Sequence, residues 1–65
     1  MTTRYIPPLH DWQRHYPTAN RIASDLRGDH AMLRHRTRLL VTMVMPMYRV
    51  SRSTAMKAIA IARNA

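Results

Sequence analysis

Apolar residues recur in this chain at intervals of three and four and nowhere alternate with polar ones, which leaves helices as the only regular element it can build. Ala19, Ile22, Ala23 and Leu26 form one such stripe, with Thr18 before it and Gly28 after it. The spacing predicts a first helix over Thr18 to Arg27, ended by a left-handed glycine. Asp29 is placed to cap a second helix, in which Met32, Leu33, Leu39, Leu40, Met43 and Val44 supply apolar positions while Arg34, Arg36 and Arg38 face outward. Its end is left open by Pro46, since a proline inside a helix costs about 3 kcal/mol. The third helix is the best marked. Ser51 caps it, Val50 and Ala55 occupy the positions of a hydrophobic staple, and Ala55, Ala58, Ile59 and Ala62 make its apolar stripe.

A chain of 65 residues without cysteine has no disulfide or thiolate-metal staple, so its core must come from these stripes or from a partner. Three of the four prolines, Pro7, Pro8 and Pro17, fall in the first 17 residues, interleaved with Tyr5, Trp12 and Tyr16. That composition reads as an arm, residues 1–17, with one short helical turn between Leu9 and Tyr16, in which Ile6, Leu9 and Trp12 cover the core of the helices that follow, the lesser alternative being a tail that threads a DNA groove. Residues 18–65 are then the helical domain. The expected fold is all-α: three helices forming a helix-turn-helix module, with a proline-containing N-terminal arm.

Eleven Lys and Arg stand against three acids, Asp11, Asp25 and Asp29, for a formal net charge of +8, and all but one of the bases are arginine. Nucleic acid is the natural partner of such a field, because the planar guanidinium fork grips phosphate or guanine with two bonds at once. In a helix-turn-helix the second helix lies in the major groove; short polar and basic groups belong at its N-terminal turn and small residues behind it. Val50 to Arg63, VSRSTAMKAIAIAR, meets both demands. Helix 51–64 is therefore the expected DNA reader, with Arg52, Ser53, Thr54 and Lys57 facing base edges and Ser51, Arg49, Arg36, Arg38 and Arg63 facing phosphates.

The run Tyr48-Arg49-Val50-Ser51-Arg52-Ser53-Thr54-Ala55-Met56-Lys57-Ala58-Ile59 resembles the turn and reading helix of the GntR family of bacterial transcription regulators. Arg21-Ile22-Ala23-Ser24-Asp25-Leu26-Arg27 is similar to the first helix of the same domain. The resemblance implies a winged helix-turn-helix over about Asn20 to Arg63, with Ser51, Arg52, Ser53, Thr54 and Lys57 toward DNA. Three departures qualify it. Leu39 to Met47, LLVTMVMPM, lacks the family's Pro-Ser/Thr opening and its Arg-Glu pair; Arg49 stands where the turn usually has glycine, so either the turn relaxes or Arg49 takes a positive φ; and the sequence ends where the β-wing would begin. The expectation is a reduced module, without wing or effector domain.

Other chemistries fit poorly. The histidines fall in two pairs, His10 with His15 and His30 with His35, five apart, a spacing that does not bring two rings onto one helical face, so no metal is expected. Gly28 is the only glycine, which rules out a glycine-rich phosphate loop, and no cofactor is expected. No enzyme, and no small-molecule substrate, is expected of a chain with so little room for a catalytic cleft. Met1 to Trp12 lacks a signal peptide's apolar stretch, and Pro7, Pro8 and Pro46 interrupt long amphipathic runs, so the expected place is the cytoplasm, on the nucleoid, with no membrane partner. Double-stranded DNA is the leading partner, for a small transcription regulator, accessory factor or recombination-directionality protein such as a phage or mobile element carries. The alternative is a small basic interaction protein docking on a larger host protein such as RNA polymerase. Met43, Val44, Met45 and Met47 at helical spacing read first as core, and otherwise as the candidate surface for a homodimer or a protein partner.

Overall fold

The computed structural model describes residues 7–64. Ile6, assigned above to the core cover, lies outside them. A 3-10 turn, Leu9–Asp11, leads into α1, Trp12–His15, followed by α2, Pro17–Arg27, α3, His30–Leu33, α4, Thr37–Tyr48, and α5, Arg52–Arg63. No strand occurs among the described residues, and the chain is all-α as expected.

Helix α2 starts one residue before the expected point because Pro17 sits at its first position, where a missing N–H costs nothing and the ring already supplies a helical φ. The whole stripe Ala19, Ile22, Ala23 and Leu26 is buried. Gly28 does not end the helix in the left-handed manner expected. Its φ is −81° and ψ −8°, and the helix closes instead through tightened bonds, Gly28 N–H to Asp25 O and Asp29 N–H to Leu26 O. Asp29 then caps as expected, its carboxylate accepting from the Met32 N–H at 3.1 Å.

The second helix, expected to be continuous, is two. It breaks at Arg34-His35-Arg36, three exposed residues that offer nothing to bury, and Arg36 is extended at φ −66°, ψ 154°. Because α4 restarts at Thr37, its phase is independent of α3. Leu40, Val41 and Val44 turn inward, whereas Leu39, expected inside, remains 44% exposed. Pro46 stays within α4, in its last turn and on its outer side. The acceptor it deprives of a partner, the Thr42 carbonyl, belongs to an exposed residue that water can reach. The methionine-rich surface does not exist as one face. Met43 and Met47, four apart, share the outer side, half-buried and 58% exposed, whereas Val44 is fully buried and Met45 packs against the core.

Helix α5 is the central element, packing against α2, α4 and, at one side, α1. Ala55, Ala58, Ile59 and Ala62 are buried as expected, joined by Ile61 on the flank of the stripe. The small side chains of Ala55, Ala58 and Ala62 let neighbouring helices approach closely. Two arginines hold the C-terminal end of α5. Arg27 donates to the Ile61 carbonyl at 3.5 Å, and Arg63 donates to Thr37 Oγ1 and His35 O, both at 2.5 Å, and to Leu33 O at 3.3 Å. Arg63 thereby fastens the α3–α4 linker, and both cations lie where the helix dipole favours them.

Candidate nucleic-acid interface

The site begins at the turn between α4 and α5, which has three residues. Arg49 adopts φ 54°, ψ 50°, the left-handed conformation that its place in the sequence demands, and is the only non-glycine with positive φ among the described residues. Its N–H and that of Val50 both donate to Met45 O, the latter at 3.1 Å, which closes α4 as a glycine would. Val50 packs against the core, and Ser51 caps α5 by accepting from the Thr54 N–H at 3.3 Å.

With Ala55, Ala58, Ile59 and Ala62 inward, helical geometry throws Arg52, Ser53, Met56, Lys57 and Ala60 to the other side. These five residues and Trp12 line an open groove of about 480 Å³ between α5 and α1. Lys57 is held in place there. Its Nζ donates to Ser53 Oγ at 2.8 Å and lies 4.6 Å from the centre of the Tyr16 ring, a cation–π contact. Tyr16 in turn meets Trp12 edge to face, ring centres 5.7 Å apart, and the Trp12 indole N–H donates to the Pro7 carbonyl at 2.7 Å. Trp12 and Tyr16 thus prop the basic face and pack against the core, whereas Leu9, expected in that cover, is 38% exposed. Arg52 donates to no group among the described residues.

Arg52 also borders a second groove, of about 410 Å³, with Arg38, Val41, Thr42 and Met45 of α4. Two guanidinium groups from different helices therefore flank one surface. Arg36 and Arg49 are exposed at the two ends of α4.

The residues singled out in the sequence thus divide. Arg52, Ser53 and Lys57 share one open face, and Arg38 adjoins it. Ser51 and Thr54 are engaged with each other, Oγ to Oγ1 at 3.2 Å, and Thr54 lines the junction with His15, Tyr16, Pro17, Thr18 and Ala19 on the α1–α2 side. Arg63, at the far end of α5, spends its guanidinium on the α3–α4 linker. Trp12, Tyr16 and Met56 belong to the site without having been assigned to it. Met56 was recoverable from the helical phase of the third stripe; the meeting of Tyr16 with Lys57 is tertiary and had no local signal.

Tyr48 marks the opposite side of the turn. Its hydroxyl donates to Asp25 Oδ2 at 3.4 Å, tying the end of α4 to α2. Desolvation by burial, then the negative charge of Asp25 and the bond to it, raise the Tyr48 pKa above the ordinary phenol value. No cluster of three or more His, Asp or Glu among the described residues could hold a metal ion, and no helix there is long and apolar enough to cross a membrane. Comparison with family models, curated proteins and solved structures finds no match.

Proposed function

We propose that this chain is a small DNA-binding module that inserts α5 into the major groove and reads sequence with Arg52, Ser53 and Lys57. The observation that carries the reading is the outward face of α5. It follows a three-residue turn, exposes Arg52, whose guanidinium donates to no group among the described residues, and holds Lys57 pre-oriented by Ser53 and Tyr16. A formal charge of +8 supplies the phosphate attraction, with Arg38 next to the reading face as a backbone contact. Resemblance to the GntR turn and reading helix supports the same assignment, and a role as a transcription regulator, accessory factor or recombination-directionality protein on the nucleoid follows from it. Thr54 and Arg63, already engaged within the fold, contribute through stability.

The test is retention of duplexes from a random pool at low salt. A common consensus among the retained duplexes supports sequence reading. Failure to retain any duplex sinks it, and co-purification of a host protein would then turn attention to docking. The specific feature favouring that second reading is the uncharged outer side of α4, where Leu39, Met43 and Met47 show apolar surface.

A further inference from the structure

The face of α5 that carries the cations is not uniformly polar. Met56 lies at its middle, 47% exposed, four residues from both Arg52 and Ala60. Beside it stands Trp12, which has already given its one polar hydrogen to the Pro7 carbonyl and so presents only hydrocarbon to the groove. The groove thus has an apolar floor and wall, Met56, Ala60 and Trp12, and a polar rim, Arg52, Ser53 and Lys57. Hydrogen-bond readout cannot use such a floor. In the major groove one exposed group is apolar, the 5-methyl of thymine; every other distinguishing group is a donor or an acceptor. The cationic rim restricts the occupant further, to an apolar group carried on a polyanion.

Resting on the DNA reading proposed above, we infer that Met56, with Ala60 and the Trp12 ring, seats a thymine methyl group and makes the protein thymine-selective at one position of its site. The helical rise sets the register. Four residues of α5 advance about 6 Å, which is about two base steps at 3.4 Å each. A guanine gripped by Arg52 and the thymine over Met56 then lie within about two base pairs of each other.

The experiment compares the duplex selected from a random pool with the same duplex in which each thymine in turn is replaced by deoxyuracil, which lacks only the methyl. Wild-type protein should lose about four-fold in affinity at one position, the worth of one buried methyl at about 0.8 kcal/mol. Met56→Ala, at an exposed helical site where alanine is well tolerated, should bring that ratio close to one. Trp12 is the chain's single tryptophan, so its emission reports the groove directly, and it should change on binding. The inference is overturned by equal affinity for thymine and deoxyuracil duplexes at every position, by a ratio that Met56→Ala leaves at four-fold, by a consensus without thymine, or by unchanged Trp12 emission. In each of those cases DNA reading itself survives. Failure to bind any duplex overturns both.

Discussion

Replacing Arg49 by glycine should make the protein more stable, although it removes a residue from the edge of the candidate interface. Arg49 is held at φ 54°, ψ 50°, where an L side chain crowds the backbone at a cost of roughly 1–2 kcal/mol. Glycine escapes that cost but enlarges the unfolded ensemble, which offsets about 0.4–1 kcal/mol of the gain. No hydrogen bond is lost, because Arg49 contributes to the turn through its backbone N–H to Met45 O and its side chain is exposed. The net expectation is about 0.5–1 kcal/mol of stabilisation, which in a domain of this size raises the Tm by roughly 2–8 °C. Arg49→Val sets the opposite limit: a β-branched side chain tolerates the left-handed region poorly, and the loss should exceed about 1 kcal/mol. Thermal and urea unfolding followed by far-ultraviolet circular dichroism measure both. Should glycine be neutral or harmful while valine costs nothing, the left-handed turn between α4 and α5 is not there.

Gly28→Ala should be neutral or stabilising by about 0.4–1 kcal/mol, since φ is negative and an added Cβ would meet only Asp25 O at an ordinary 3.5 Å; destabilisation on the order of 1 kcal/mol would show that this glycine is left-handed after all. Tyr48, with its pKa raised in the folded state, adds stability that is present below about pH 10 and lost as pH rises through the folded value. Tyr48→Phe should remove a component that titrates above the ordinary phenol value from the phenolate absorbance and flatten the decline of stability in alkali; unchanged curves would refute the burial of Tyr48 against Asp25. Arg63→Ala should speed hydrogen exchange in the 34–36 linker while leaving the salt dependence of DNA binding unchanged, whereas a phosphate contact would lower that log-log slope by about 0.9.

Stripes that are complete within one helix were legible from sequence. Ala19, Ile22, Ala23 and Leu26 went inward together, as did Ala55, Ala58, Ile59 and Ala62, because each set stays on one side at 3.6 residues per turn. Ser51 and Asp29 were equally local, since an N-cap needs only its own first turn. The break at Arg34-His35-Arg36 carried no proline or glycine to announce it, and the linker is fastened by Arg63 from the end of α5, 28 residues beyond His35. Once that break is missed, the phase of α4 is mistaken, which is why Leu39 was expected inside and Val41 was not assigned. At the candidate site, the outward position of Arg52, Ser53 and Lys57 follows from α5 alone. The placement of the arm against it does not, because Tyr16 reaches Lys57, and Trp12 the groove, only through the tertiary packing of the arm.

Sequence reading by α5 is tested most directly by the affinity of Arg52→Ala for a duplex selected by the wild type, set against its affinity for a scrambled duplex of equal length and salt. The Arg52 side chain is exposed and donates to no group among the described residues, so its loss should cost about 1–3 kcal/mol on the selected duplex and little on the scrambled one. Equal losses on the two would reduce Arg52 to a phosphate contact and contradict base reading by this helix.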